Sequence, residues 1–534
     1  MKLNISNLKN KEFWQRKGYQ LPNFDIEKMK ENTLKNPMWL HFGAGNIFRA
    51  FPAALQQDLL DKGLSDRGII VCESYDEEII EKAYTPYDNL SILITLKADG
   101  SIDKKIIASI ASAMNVRDSL NKLIDIFTHP SLQIASFTIT EKGYSLVDSS
   151  GSYPKEIAED LEGNFQTPKT LMGTIAFLCY KRYLAGKLPI TLLSLDNCSH
   201  NGSKLHDAVK TFADSWVENK KVDAGFLEYI QNQQFVSFPW TMIDKITPRP
   251  SEQVKAMLEA DGLEDVEIIK TKKNTYVASF VNAEQTQYLV VEDVFPNSRP
   301  PLEEAGVIFT DREIVDKVEK MKVCTCLNPL HTALAIYGCL LGYTSIADEM
   351  KDKHLKKFIE KLGYEEGLPV VVDPGIIKPE EFLKEVIEER LPNPFVPDTP
   401  QRIACDTSQK IPVRFGETLK AYISTGKRDI STLTYIPLFF AGWLRYLMGI
   451  DDEGKPFAPS PDPMLEVLQG YIKDISLGDK GPFTDSLKPI LSDEKIFGVD
   501  LYKYKLAPKV ENMFTELVAG KGAVRKTLEK YVSD

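Results

Sequence analysis

The stretch His41-Phe42-Gly43-Ala44-Gly45-Asn46-Ile47-Phe48-Arg49 decides how this chain is read. Before it, Met38–Phe42 is a short apolar run that suits a strand, and after it Ile47–Lys62 has helical spacing. Glycines at such a junction do specific work. Gly43 permits a tight turn, and Gly45 lets the backbone approach a pyrophosphate held at the start of the helix, where Asn46 and Ile47 stand. Phe48 occupies the third glycine position of a full G-x-G-x-x-G, so a plain strand–helix turn is the competing reading. The next strand-like run, Gly68–Glu73, ends in an acidic residue. Glu73 at that place suits the two hydroxyls of an adenine ribose and repels a 2′-phosphate, which favours NAD over NADP; a solvated loop carboxylate is the alternative. Arg49 reads as a partner for phosphate or a substrate carboxylate, or as a surface ion pair, and His41 as the close of the first strand.

Working outward, strand-like and helix-like runs alternate through the first half. Leu90–Leu96, Ile134–Thr140 and Ile190–Leu195 are strands and Leu171–Leu184 is a helix, an order that predicts a parallel sheet with crossover helices. Residues 249–287 fit neither pattern cleanly, and their Glu/Asp/Lys-rich first half reads as a surface excursion between the two main parts. Beyond about Pro300 the period becomes helical at Thr332–Leu341, His354–Leu362, Pro379–Arg390, Arg414–Ser424, Tyr435–Met448, Met464–Ser476 and Val510–Lys530. The fold class is therefore α/β, with a Rossmann-like dinucleotide-binding domain over 1–300 and a mainly helical domain over 301–534. A chain of 534 residues exceeds one hydrophobic core, which agrees with two domains.

A net charge of −11 argues against nucleic acid and anionic membrane surfaces as partners, though local basic residues can still receive an anionic substrate. The apolar stretches Ile336–Leu341 and Ile436–Leu444 are shorter than the roughly 20 residues a membrane helix needs. The N-terminal residues lack the apolar core of a secretory signal, and seven scattered cysteines fit reduced thiols in the cytoplasm.

The second informative stretch is Glu319-Lys320-Met321-Lys322-Val323-Cys324-Thr325-Cys326-Leu327-Asn328-Pro329-Leu330-His331. Asn328-Pro329 reads as a helix start, with Asn328 as the capping residue and Pro329 in first position. His331 follows one turn on and shares a face with Asn328. Lys322 approaches from the preceding segment. A lysine, an asparagine and a histidine that converge can hold a carbonyl and move a proton, with Lys322 as acid or base once burial disfavours its charge. Cys324, Cys326 and His331 offer a metal site as the alternative, but Cys-x-Cys is an uncommon zinc spacing and a fourth ligand is lacking, so no metal is expected.

These stretches resemble the polyol-specific long-chain dehydrogenase family, also called the mannitol dehydrogenase family. The resemblance spans nearly the whole chain. It rests on the Gly43–Arg49 turn, Thr140-Glu141-Lys142-Gly143-Tyr144, Ser194-Leu195-Asp196-Asn197 with Asn201-Gly202, and Phe238–Pro248. It continues through Glu292-Asp293, Phe295-Pro296 and Arg299-Pro300, the Asn328/His331 helix start, and Arg402–Lys410.

The resemblance implies a catalytic lysine at Lys322 and two asparagines, Asn197 and Asn328, on the reacting oxygen. It further implies His331 as substrate-orienting, Glu319 on a proton path to solvent, and Arg402, Lys410 and Asp244 as substrate-binding. Arg402 and Lys410 could instead form an ion pair with Asp406, Asp196 could cap a turn, and His200 could touch substrate or rest on a backbone partner. Two departures from the family pattern stand out. Lys322 lies six residues before Asn328 rather than five, which in an extended segment demands a bulge. Pro329-Leu330 replaces small residues.

The expected activity is NAD-dependent, metal-independent reduction of a keto-hexuronate, fructuronate to mannonate, and its reverse. The site is expected in a cleft between the domains. Tagaturonate reduction and mannitol/fructose chemistry are alternatives within the class, and a non-catalytic NAD-binding redox sensor is the alternative outside it. The basic residues Arg49, Lys245, Arg299 and Arg402 are the candidates for meeting a substrate carboxylate. Oligomeric state is left open.

Overall fold

A computed structural model describes residues 1–163 and 167–533. These group into two compact units: 1–96 with 101–316, and 97–100 with 317–534. The division expected at 300/301 thus moves to 316/317. The reason is local: Ile308–Thr310 pairs in parallel with Tyr288–Glu292, and the turn Leu302–Ala305 packs on the helix Pro52–Asp61.

The first unit is built on six parallel strands: β1 (Trp39–Phe42), β2 (Ile69–Glu73), β3 (Ile110–Asn115), β4 (Ile134–Phe137), β5 (Ile190–Ser194) and β6 (Val236–Ser237). Their order across the sheet is β3-β2-β1-β4-β5-β6, the doubly wound order of dinucleotide-binding domains. The side-chain alternation of strands divides the core. Leu40, Phe42, Ile70, Cys72, Ala135 and Phe137 face one apolar layer with the helix Leu171–Leu184. Trp39, Ile69, Val71, Ile134 and Leu193 face the other, with Leu55 and Leu59. Both faces are covered, so every residue of β1 and β2 is buried, the polar His41 and Glu73 included.

Two expectations for this unit change, and one open segment finds its place. The run expected as one helix from Ile47 breaks into α1 (Asn46–Ala50) and Pro52–Asp61, because Pro52 cannot continue the hydrogen-bond ladder. Ser91–Leu96 is not in the central sheet; it pairs antiparallel with Ile102–Ile107 and parallel with Phe280–Glu284 in a separate four-stranded sheet. The first half of 249–287, expected as a surface excursion, holds the helix Glu252–Ala260, and the second half, which the sequence left open, ends in the fully buried strand Phe280–Glu284.

The second unit is helical. Two of its helices, Asn328–Leu341 and Tyr435–Leu447, are buried on nearly every side and pack together, which is why both are apolar all round. Gly442 sits against the Tyr337 ring, where a Cβ would come within 2.5 Å of it. Glu366 receives the backbone amides of Thr434, Tyr435 and Ile436, placing a buried carboxylate at the N-terminus of Tyr435–Leu447. Among the described residues this unit holds four π-helical turns, at Lys322–Cys326, Leu362–Gly367, Val386–Arg390 and Pro412–Gly416. The helical run Arg312–Leu341 is also longer than the sequence suggests. It is long and apolar enough to cross a membrane, but 72% of its apolar window is buried inside the protein, as in a core helix.

Candidate active site

At the end of β1, Gly43 has φ +104, and a Cβ there would lie 2.2 Å from the Thr138 carbonyl oxygen. Only glycine fits. Gly45 differs: its φ is −75, and a Cβ would meet nothing within 4 Å. Gly45 therefore faces open space at the first turn of α1, beside β1 and β4 where the strand order reverses, and that room suits the pyrophosphate of a dinucleotide. Asn46 begins α1; its Oδ1 accepts from Arg49 Nη2 at 2.8 Å, while Ile47 packs into the core.

A buried hydrogen-bond chain fixes the turn. Trp39 Nε1 donates to Ser136 Oγ at 2.6 Å, and Ser136 Oγ lies 2.6 Å from His41 Nδ1. His41 Nε2 lies 2.9 Å from Thr138 Oγ1, which donates to the Gly43 carbonyl at 3.3 Å. Because Thr138 spends its hydroxyl proton on the Gly43 carbonyl, it accepts from His41 Nε2–H, and Ser136 donates to His41 Nδ1. His41 is then neutral with its proton on Nε2, and burial pushes its pKa down to about 3. Glu73 serves the same turn: Oε2 accepts from Ala44 N at 2.7 Å, and Oε1 accepts from the amides of Ser74, Tyr75 and Asp76. Glu73 is thus a buried brace rather than a solvated loop carboxylate.

Several other motif residues are likewise spent on the fold. Asp196 accepts from Ile139 N, Thr140 N and the Tyr144 hydroxyl, and burial raises its pKa. Asn201 bonds Asp196 O and the backbone and hydroxyl of Thr241, and a Cβ on Gly202 would strike Phe238 O and Pro239 O. His200 stacks on Trp240 at 4.1 Å and reaches Asp316 at 3.3 Å.

The same holds for three of the basic residues expected to meet a carboxylate. Arg49 is fully buried rather than at the surface; it donates to Ala278 O and Asn46, and its Nε is sealed off without a partner. Lys245 donates to Glu284 O and Gln287. Arg299 pairs with Asp293 and Glu303 over the Phe309 ring. Asn197 is exposed in the loop after β5, and Asp244 is buried at the end of a strand opposite Tyr288.

In the second unit the segment around Lys322 is not extended. The helix α2 (Arg312–Met321) runs into the π-turn Lys322–Cys326 and then into α3 (Asn328–Leu341). Leu327 N donates to Lys322 O at 3.1 Å, the five-residue bond of a π-turn. The extra residue before Asn328 is absorbed as a widened helical turn, not as a strand bulge. Lys322 is buried at its start, and Glu319 precedes it by one helical turn. Leu327, not Asn328, caps α3; Asn328 is the first helical residue.

His331 lies a turn beyond Asn328. Its Nε2 is buried and 3.4 Å from Asp398 Oδ2, outside hydrogen-bond geometry, so that nitrogen has no hydrogen-bond partner. Burial, then Arg414, Arg402, Arg390 and Lys410, push the His331 pKa down to about 3. Arg402 pairs with Asp398, and Lys410 donates to Ile403 O and Cys405 O, so the alternative of an ion pair with Asp406 gives way to other partners.

Arg390 and Arg414 were not singled out from sequence. A signal existed for the second: Lys410 and Arg414 are four apart on a helical run, a like-charge spacing that costs stability unless an anion offsets it. Among the described residues no cluster of three or more His, Cys, Asp or Glu is arranged to hold a metal, and Cys326 is a buried thiol pushed up to about 12.

A strand order of 3-2-1-4-5-6 with an open glycine turn at its switch point defines a dinucleotide-binding protein. A family model described as the mannitol dehydrogenase Rossmann domain matches residues 37–304, and one described as the mannitol dehydrogenase C-terminal domain matches 314–518. The chain belongs to the mannitol dehydrogenase family.

Two curated relatives and two solved structures give the range of similarity. A D-mannonate oxidoreductase of Thermotoga maritima is 54% identical, over 100% of this chain and 99% of the relative. A mannitol 2-dehydrogenase of Neosartorya fischeri is 31% identical over 92% of each chain. A substrate-free D-sorbitol dehydrogenase structure matches with a TM-score of 0.79 at 26% identity, covering 95% of this chain and 97% of that one. The ternary complex of Pseudomonas fluorescens mannitol 2-dehydrogenase with NAD and D-mannitol matches at 0.69 and 27% identity, over 99% of each.

Proposed function

We propose that this chain reduces the keto-hexuronate fructuronate to mannonate, reversibly, as an NAD-dependent secondary-alcohol dehydrogenase that uses lysine rather than a metal for proton transfer. The carrying observation is the setting of His331: a neutral imidazole with an unpartnered nitrogen, surrounded by Arg390, Arg402, Lys410 and Arg414. Arg402 is paired with Asp398, and the further cations around the histidine suit an anionic sugar better than a neutral polyol. The 54% identity to a D-mannonate oxidoreductase supports the same choice, and the mannitol 2-dehydrogenases near 30% keep polyol oxidation as the second reading.

When bound, NAD supplies or accepts the hydride at the reacting carbon. Gly43, Gly45, Asn46 and Ile47 would hold its pyrophosphate at the start of α1, and Glu73 Oε2, with a single amide partner, has capacity left for the ribose hydroxyls. In reduction, Lys322 gives a proton to the ketone oxygen as the C=O bond becomes C–OH; in oxidation it takes that proton back. Asn328 and Asn197 donate to the same oxygen and stabilise charge developing there. His331 and Asp244 orient the hydroxyls, Arg402 and Lys410 bind the sugar, and Glu319 passes the lysine proton to solvent. All seven cysteines are free thiols, which fits a cytoplasmic location. Following NADH oxidation with fructuronate, tagaturonate and fructose tests the proposal. Fructuronate should give the highest kcat/KM; no turnover of any keto-hexuronate would sink it.

A further inference from the structure

The arginine that the sugar acid needs is not one of those the sequence points to. We propose that Arg414 binds the substrate carboxylate and thereby selects a sugar acid over the corresponding neutral ketose. This rests on the keto-hexuronate reading above and adds the residue that enforces it.

Arg414 sits in the π-turn Pro412–Gly416, which packs on the π-turn Lys322–Cys326; Thr418 just beyond it donates to Cys324 O at 3.1 Å. Nη1 of Arg414 donates to Asn328 O at 3.4 Å and to the Thr332 hydroxyl. The guanidinium therefore lies against the first turn of α3, where Asn328 and His331 stand, and its charge is felt by both His331 and Lys410.

Two features mark it as a waiting anion site. It is largely withdrawn from water, with its pKa pulled down to about 10 by burial, yet it has no carboxylate partner among the described residues. A buried cation without a counter-ion is costly, and evolution keeps such groups where a ligand supplies the missing charge. Moreover Nε and Nη2 make no hydrogen bond to any described residue and are not sealed from solvent, so one edge of the fork remains presented for two parallel bonds to a carboxylate.

The other basic residues weighed do not share both features. Arg402 is paired with Asp398, Arg299 with Asp293 and Glu303, and Lys245 and Lys410 donate to carbonyl oxygens. Arg49 lacks an acid partner, but its unbonded nitrogen is closed off from solvent. The unpartnered His331 Nε2 nearby supplies a second independent sign that this surface is completed by a ligand.

Fructuronate and fructose are the discriminating pair, because one carries a carboxylate where the other carries a hydroxymethyl group. Replacing Arg414→Gln should raise KM for fructuronate about 10- to 100-fold, the scale of lost charge-assisted bonds, with a much smaller change in kcat. The kcat/KM for fructose should hold or rise. Arg414→Lys keeps the charge but loses the fork, and should move the fructuronate-to-fructose ratio the same way by less. If Arg414→Gln does not fold, Arg414→Lys alone carries the test. An equal loss on both substrates would show that Arg414 merely holds Asn328 in place, and an unchanged ratio would show that the carboxylate binds elsewhere; either overturns the proposal. Wild-type protein that reduces fructose but no keto-hexuronate would instead defeat the proposed function, which the variants do not decide.

Discussion

Two histidines in this molecule carry nearly the same shift and do opposite things. His41 and His331 are both held neutral with pKa near 3. At His41 the cause is burial, and both ring nitrogens are bonded within a closed chain from Trp39 to the Gly43 carbonyl. At His331 burial is joined by four cations, and Nε2 is left without a hydrogen-bond partner. A saturated network marks architecture; an unsaturated one leaves valences that a ligand or an ordered water can complete. The same contrast separates Asp196 and Asn201, each taken up by neighbouring backbone and hydroxyl groups, from the cation-rich first turn of α3.

The sharpest way to break this contrast is Lys322→Ala. With the proton donor gone, turnover of fructuronate should fall by about 10²- to 10⁴-fold, while NADH still binds as in the wild type by fluorescence titration. Retained activity would remove the second unit's claim to the chemistry. Next come the two glycines, which should fail in different ways. Gly43→Ala drives a Cβ into the Thr138 carbonyl at positive φ and should cost on the order of 3 kcal/mol of stability. Gly45→Ala meets no protein atom and should melt like the wild type, yet weaken NADH binding because its methyl fills the space proposed for the pyrophosphate. Equal NADH affinity in the Gly45 variant would place the cofactor elsewhere.

The histidines themselves give a pH test. Each has a folded pKa near 3 against an ordinary 6.5, so the unfolded chain takes up protons that the folded chain refuses. Their stabilising effect is complete above about pH 6.5 and is lost as the pH falls toward 3, at up to about 1.4 kcal/mol per pH unit for each. His41→Gln should flatten the acid-side fall in melting temperature and leave kcat nearly intact. His331→Gln should flatten it as well but lower kcat/KM by about 10-fold, the cost of a lost hydrogen bond to substrate. Should the His41 variant lose turnover as heavily while still folded, the distinction between closed and open networks fails.

What the sequence disclosed follows from the range of the forces involved. The parallel sheet and the glycine turn were readable because Gly43 and the buried runs at Trp39–Phe42 and Ile69–Glu73 are local necessities of such a sheet, whereas the strand order was not, since Ile110–Asn115 rather than Ser91–Leu96 forms its edge. The helix Leu171–Leu184 appears with the bounds its periodicity predicts. The π-turn was hidden, because an inserted residue looks the same whether a strand bulge or a helix absorbs it. Only the continuation of α2 into α3 decides the matter. Which arginines are paired was also out of reach: Arg299 and Arg414 have similar local sequence standing. Asp293 and Glu303 neutralise the first, while among the described residues no acid pairs with the second.

That last difference yields the smallest expected effect and the most economical control. Arg299 and Lys245 were candidates for the substrate carboxylate on charge alone, and the structure gives each an occupied role. Arg299 bridges Asp293 at 3.0 Å and Glu303 at 2.6 Å while covering the Phe309 ring, and Lys245 rests on Glu284 O and Gln287. Both acids of the Arg299 pair are half exposed, so its loss should cost at most about 1 kcal/mol of stability, and less at high salt. Neither Arg299→Met nor Lys245→Met should change the kcat/KM ratio of fructuronate to fructose by more than about twofold, since a rim charge contributes little to a screened contact. The measurement has force because net charge changes by the same single unit as in Arg414→Gln. A general electrostatic preference for anions would move all three ratios together, whereas a local carboxylate contact moves only the one at Arg414.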